Sequence, residues 1–373
     1  MRLLHINSNY LHSPLHSEML NELEKQGVEN SVIMPRKIND EKNLAKNIDS
    51  NIFHSQFLNS SDRLLYFKKQ RKIGNWIEKQ EMNFNEYDIV HAHTLFSDGY
   101  QAYKSDTPYV ITVRNTDVNF YLKYFKHLYF IGRKILKKAN FIIFLSESYK
   151  HKTINTLFNY DMDRKSMYNK SHTIPNGINQ FWIDNIKSCK KEIKHELNFL
   201  FVGRIMKNKN LDFLAKNLKE DNFLRKVKIY VVGEIVDIKY YNQLKKFSNL
   251  IFLGHKNKRE LKIIMEKMDV FTLISFHETF GLVYLEALTQ NLPVLYTKNE
   301  GFDQYFKDGK VGYAISPKNG NELQYRMKEI IKNYDAFQNQ ILDIDKKSFS
   351  WNENAKRHKF IYQTILKKSK GLV

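Results

Sequence analysis

The stretch His277-Glu278-Thr279-Phe280-Gly281-Leu282-Val283-Tyr284-Leu285-Glu286 sets two carboxylates on either side of a glycine. It follows the apolar run Val270–Ile274, which reads as a strand, and it opens a run of helical character. Gly281 lets a ligand approach the backbone with no Cβ in the way. The amides of Gly281, Leu282 and Val283, just past Phe280, are then unpaired donors at a helix start, suited to a diphosphate. Glu278, in the preceding loop, can accept hydrogen bonds from sugar hydroxyls, and Glu286, about two turns on, can take both hydroxyls of a ribose. A plain strand–loop–helix junction with two solvated glutamates has the same pattern.

A second stretch shifts that balance. Phe199-Leu200-Phe201-Val202-Gly203-Arg204-Ile205-Met206-Lys207-Asn208-Lys209 reads as a strand, a glycine turn and a helix start. Arg204 and Lys209 are placed to neutralise a departing diphosphate through charge-assisted hydrogen bonds, the work a metal ion does elsewhere. Lys207 reads as one more surface charge.

The elements that must position these groups alternate along both halves. Leu3–Ile6, Ser31–Met34, Asp88–Ala92, Tyr109–Val113 and Phe141–Leu145 read as buried strands, with helical spacing in Leu15–Gln26 and Tyr121–Lys138 between them. The alternation restarts with Asn198–Val202, Lys228–Val232, Asn249–Leu253, Val270–Ile274 and Pro293–Tyr296. Strands alternating with helices predict βαβ units and parallel sheets. The expected fold is therefore α/β, two Rossmann-like doubly wound domains facing across a cleft, where such sheets bind ligands at the carboxyl ends of their strands. The expected boundaries are 1–178 for the first domain, 179–195 for a lysine-rich linker, 196–350 for the second domain and 351–373 for a last helix.

The sequence resembles glycosyltransferase family 4, retaining enzymes of GT-B fold. The resemblance rests on Glu278 and Glu286 with Phe280-Gly281 between them, on Gly203-Arg204 with Lys209, and on Ile174-Pro175-Asn176-Gly177. Gly301, Asp308-Gly309 and Gly312 complete it, in order over nearly the whole chain. It implies a nucleotide-diphosphate sugar as donor, a UDP-sugar above a GDP-sugar, held by Arg204, Lys209 and the 281–283 amides. Glu278 would grip the donor sugar, Glu286 the ribose, and the last helix would cross back onto the first domain. The acceptor would be a hydroxyl of a glycan or a lipid-linked molecule, in cell-surface polysaccharide or glycolipid assembly, with no metal and no other cofactor. A sugar-nucleotide epimerase of the same fold is the alternative; the Arg204/Lys209 element paired with Glu278/Glu286 favours transfer.

Two departures concern the first domain. The family's Gly-Gly pair in the first loop is replaced by Ser8-Asn9-Tyr10-Leu11-His12-Ser13, and a histidine that many members carry after the fifth strand is Arg114, in Val113-Arg114-Asn115-Thr116-Asp117. Asn9, Arg114 and Asp117 are candidate substrate contacts, as is His93. His91 and His93 share one strand face; with no third ligand at a suggestive spacing, a core or acceptor-facing role outranks metal ligation. Asp161-Met162-Asp163 and Asp343-Ile344-Asp345 lie outside any cation-binding context.

Composition narrows the setting. One cysteine, Cys189, excludes an intramolecular disulfide and any multi-cysteine metal site. The first residues run straight into a strand and lack the apolar core of a signal peptide, and no apolar run approaches a bilayer span. A cytoplasmic protein is expected, peripheral on the inner face of the plasma membrane. The net charge of +20 attracts polyanions of several kinds. Across Tyr121–Lys138, a helical wheel puts Tyr121, Tyr124, Phe125, Leu128, Ile135 and Leu136 opposite six cations, which suits an anionic membrane and equally an ordinary domain helix. Nucleic acid is not an expected partner, because the cations are scattered and no binding module is present.

Overall fold

Each half of the chain builds one all-parallel sheet. The computed structural model describes residues 1–40, 51–193, 196–219, 223, 225–369 and 371. Unit 1 comprises Met1–Leu145, Tyr149–Gly177 and Trp351–Val373; unit 2 comprises Ser146–Ser148 and Ile178–Ser350. Residues 194–195 of the expected linker and residues 370 and 372–373 of the expected last helix lie outside the described residues. The rest of that linker, from Asn179 on, falls within unit 2, together with Ile178, the last residue expected in the first domain.

The sheet of unit 1 contains β1 (Arg2–Ile6), β2 (Glu29–Lys37), β3 (Ile52–Leu58), β4 (Ile89–Ala92), β5 (Tyr109–Val113), β6 (Phe141–Phe144) and β7 (Ser171–Thr173). Their order is β3-β2-β1-β4-β5-β6-β7. Unit 2 contains β8 (Glu196–Val202), β9 (Lys226–Val232), β10 (Leu250–Gly254), β11 (Val270–Leu273), β12 (Val294–Thr297) and β13 (Gly312–Ile315), in the order β10-β9-β8-β11-β12-β13. Both sheets therefore reverse direction once, between β1 and β4 and between β8 and β11. At such a switch point the flanking loops diverge and leave a crevice at the strands' carboxyl ends.

Helices cover both faces of the strands, so the central ones bury every side chain and read as unbroken apolar runs. The four residues of β11 are all buried, as are the four of β4. Strands β3, β7 and β13, which the sequence reading did not include, are all sheet edges; the fourth edge, β10, was read from its apolar run. Only one side of an edge strand is paired, so polar residues such as those of Ser171-His172-Thr173 are tolerated.

The last helix, Trp351–Ser369, packs onto unit 1. Trp351, Ala355, Ile361, Tyr362 and Ile365 join Leu3, Met19, Leu23 and Ile89 in one buried cluster. The turn at Gly177 makes this approach close: a Cβ on Gly177 would lie 2.7 Å from the Trp351 backbone. Asn354 Nδ2 donates to the Pro175 carbonyl at 2.6 Å in the same corner.

Tyr121–Lys138 is not one helix, which corrects the wheel drawn over it. A wide helical turn ends at Tyr121, a short helix spans Leu122–Tyr124, a tight turn spans Lys126–Leu128, and only Tyr129–Lys138 is regular. Phe125 breaks the run with φ −120° and ψ 59°, its ring packed 5.1 Å from that of Phe120. Tyr121, Leu128, Ile135 and Leu136 are buried in the core of unit 1, while Tyr124 and Phe130 are exposed.

Candidate active site

In unit 2, the expected donor residues gather at the switch point. Arg204 follows β8 and is exposed, and Lys209 closes the short turn Lys207–Lys209. Across the switch, Glu278 follows β11 and meets Lys209 in an ion pair, Nζ to Oε2 at 2.7 Å with both side chains largely buried. The loop carrying Glu278 is tied down from three sides. Its amide donates to Glu300 Oε2 at 3.1 Å, its carbonyl accepts from Gly301, and Asn208 Nδ2 donates to the His277 carbonyl.

Gly281 sits at φ +80° immediately before the helix Leu282–Thr289, a conformation that carries a heavy strain for any residue with a Cβ. Among the described residues, no acceptor is bonded to the amides of Gly281, Leu282 or Val283. They are free N–H groups at the positive end of a helix, close in sequence to a carboxylate whose charge Lys209 offsets. Glu286 lies half-buried on the same helix. Phe280 corrects its own assignment: only 3% exposed, its ring packs at 5.6 Å against Phe302 and 5.2 Å against Tyr305. Its side chain anchors the loop from inside the core. Gly301 completes the anchoring, because a Cβ there would lie 2.6 Å from the Phe280 backbone.

The unit 1 candidates divide. Asn9 stands in the loop after β1 and lines a cavity, while Arg114 is partly exposed after β5. Arg114 Nε donates to the His93 carbonyl at 3.0 Å, and burial lowers the guanidinium pKa to about 10. Asp117 and His93 are fully buried and unavailable for direct substrate contact, which corrects both expectations. Asp117 accepts from the amides of Leu95, Phe96 and Arg114, each at 3.0 Å, and so locks the loops after β4 and β5 together. Burial raises its pKa to about 6 against those three hydrogen bonds.

A family profile for Glycosyl transferases group 1 matches residues 183–371, and one for Glycosyltransferase Family 4 matches residues 17–180. The chain belongs to this glycosyltransferase family. It is a transferase of GT-B type. A Bacillus subtilis strain 168 protein, provisionally named as the teichuronic acid biosynthesis glycosyltransferase TuaC, is 24% identical over 99% of this chain and 100% of its own. The alpha-monoglucosyldiacylglycerol synthase of Acholeplasma laidlawii is 28% identical over 66% of this chain and 65% of its own. Among solved structures, Anabaena Alr3699/HepE in complex with UDP superposes with a TM-score of 0.67 at 14% identity, covering 98% of this chain and 100% of the other.

The transferase also carries a histidine cluster that sequence spacing only half revealed. The parallel register sets His5 of β1 beside His91 of β4, and His93 joins them, with one ring nitrogen of each within 4.8 Å of the others. Hydrogen bonds already occupy these rings. Asn30 donates its amide hydrogens elsewhere, so its Oδ1 accepts from His5 Nε2 at 3.0 Å, and His5 Nδ1 then accepts from His93 Nε2 at 3.0 Å. His91 meets Tyr362 Oη and Thr112 Oγ1, each at 2.7 Å. Only His93 Nδ1 lacks a partner among the described residues. A cation would need lone pairs that these bonds use, so the trio reads as a hydrogen-bonded core. The signal available in the sequence was His5 itself, at the mirror position of the first strand.

Proposed function

We propose that this transferase moves a sugar from a UDP-sugar to an acceptor hydroxyl with retention at the anomeric carbon and without a metal ion. The reading is carried by one arrangement: the Lys209–Glu278 pair across the β8/β11 switch point, with Arg204 exposed after β8 and the amides of Gly281, Leu282 and Val283 unbonded after β11. Arg204, Lys209 and the amides stabilise the diphosphate as the bond from the anomeric carbon to its oxygen breaks. The acceptor oxygen bonds to that carbon on the same face and passes its proton to the departing diphosphate oxygen. Glu278 holds the donor sugar, and Glu286 holds the ribose. The UDP bound by the Anabaena neighbour supports the choice of nucleotide. The names of the Bacillus and Acholeplasma relatives support cell-surface polysaccharide or glycolipid assembly.

Among the described residues, no helix is long and apolar enough to cross a membrane. We place the protein in the cytoplasm, touching the inner face of the plasma membrane through exposed Leu64, Leu65, Phe67, Tyr124 and Phe130, where the Phe67 and Phe130 rings stack at 6.2 Å. Lys68, Arg71, Lys123 and Lys126 supply the charge beside them.

Thermal shift against UDP, GDP and ADP, with and without EDTA, tests the donor. UDP is expected to raise the melting temperature alone, and EDTA to change nothing. A shift or an activity that EDTA abolishes and added metal restores would overturn the metal-independent reading. Co-sedimentation with anionic vesicles tests the surface: Phe67→Ser with Phe130→Ser should abolish it, and high salt should weaken it.

A further inference from the structure

The cavity of unit 1 has no role in the donor chemistry. Its volume is about 210 Å³, and it opens at the carboxyl ends of β1, β2 and β5, among Asn9, Lys37, Asn59, Arg63, Lys69 and Thr116. Two carboxylates also line it, and both are engaged. Asp62 pairs with Lys72 at 2.7 Å, outside the cavity, and Asp40 faces Arg36 at 3.4 Å. Lys69 is 8% exposed, and its ammonium makes neither a hydrogen bond nor an ion pair among the described residues. Burial pushes its ammonium below the usual lysine range; Asp98 and Asp117 attract it, and Lys37 and Arg63 repel it. Asp98 accepts from Ser8 and Thr94, and Asp117 from three amides; neither makes a hydrogen bond or ion pair with Lys69, so their attraction acts only at a distance. The Arg63 guanidinium is held over the Phe120 ring at 3.5 Å, which fixes its position without using its donors.

An ammonium on a largely buried lysine, with no partner of its own and an open cavity before it, is favoured by an anion that completes it. Here it shares a cavity with a fixed guanidinium, a second lysine and amide and hydroxyl donors, a set that matches a phosphate carrying close to two negative charges. We propose that this cavity holds a phosphate group of the acceptor, with Lys69 and Arg63 as its principal ligands; the role as acceptor site rests on the transferase reading above. The phosphate belongs either to a soluble phosphorylated sugar or to a lipid headgroup. Exposed Leu64, Leu65 and Phe67 directly follow Arg63 in the chain and would meet the lipid in the second case.

Titration calorimetry of the full chain with inorganic phosphate, under saturating UDP so that the donor phosphate site is filled, tests the proposal. Saturable binding is expected, weakened roughly tenfold to a hundredfold in Lys69→Met and in Arg63→Gln. The exposed Lys328→Met should bind as the parent does. Absence of saturable binding at millimolar phosphate, or equal binding by parent and both cavity variants, would overturn it. Two further arms separate the sources. Tighter binding of glucose 1-phosphate than of phosphate marks a soluble acceptor. Capture by phosphatidic acid vesicles that falls in Lys69→Met marks a lipid one. If UDP fails to bind while Lys69-dependent phosphate binding persists, the transferase reading fails and the phosphate site stands.

Discussion

At the scale of single residues, the proposed donor site separates chemistry from support. Arg204 is exposed and its side chain makes no hydrogen bond or ion pair among the described residues, so Arg204→Ala should leave the melting temperature unchanged. Its kcat should fall about 10²–10³-fold if the guanidinium stabilises the leaving diphosphate. A steady-state assay showing full activity would remove Arg204 from the mechanism. Gly281 predicts the mixed outcome. A Cβ there would lie 2.5 Å from the Tyr284 ring, at a φ of +80° that side chains resist. Gly281→Ala is expected to cost about 1–3 kcal/mol of stability and to weaken UDP binding, measured by denaturation and by thermal shift. The strand–loop–helix at Gly281 and the loops carrying Glu278, Arg204 and Lys209 were legible in the sequence, because a glycine turn between an apolar run and a helix is a local pattern. The buried Phe280, Asp117 and His93 were not separable from them, since a residue's type does not say whether a neighbour covers it.

At the scale of elements, the docking of Trp351–Ser369 depends on a turn more than 170 residues earlier. Gly177→Ala would force the turn off the Trp351 backbone, and a loss of about 1–3 kcal/mol is expected in chemical denaturation. Nucleotide binding should survive, because the donor residues belong to unit 2. Unchanged stability would mean that the turn and helix give way without strain. Periodicity located the central strands but not β3, β7 or β13, whose edge positions relax the demand for apolar side chains. It also misread Tyr121–Lys138. A wheel assumes unbroken helical geometry, and packing of Phe125 against Phe120 ends the helix there.

At the scale of the whole molecule, burial sets the pH response. His5, His16, His91, His93 and His358 are all buried, and desolvation lowers each pKa, to about 4 for His5 and His358. In the unfolded chain they take up protons as pH falls through about 6.5. Below that pH the unfolded state binds more protons, so the stability present above 6.5 drains as pH falls toward 4. Asp98 and Asp117 act in the opposite sense, because burial raises their pKa and the folded state takes their protons first, at about 6 for Asp117. Five histidines against two carboxylates leave a net loss, ~1.4 kcal/mol per pH unit for each uncompensated histidine. The melting temperature at pH 5 should therefore lie roughly 5 °C or more below that at pH 7.5. A flat profile would show that the cluster opens to water.

The sequence by itself determined two α/β halves and the family, because each is local: alternating apolar runs, or a few residues spaced along one loop. Tertiary structure decided what long-range pairing creates. Register brought His5 beside His91 across 86 residues, and hydrogen bonds then occupied every ring nitrogen of the trio except His93 Nδ1. Strand order placed Arg63 and Lys69 with Asn9 around one cavity. Whether a lysine is solvated or buried without a partner depends on what the rest of the chain packs around it, and no window of residues carries that.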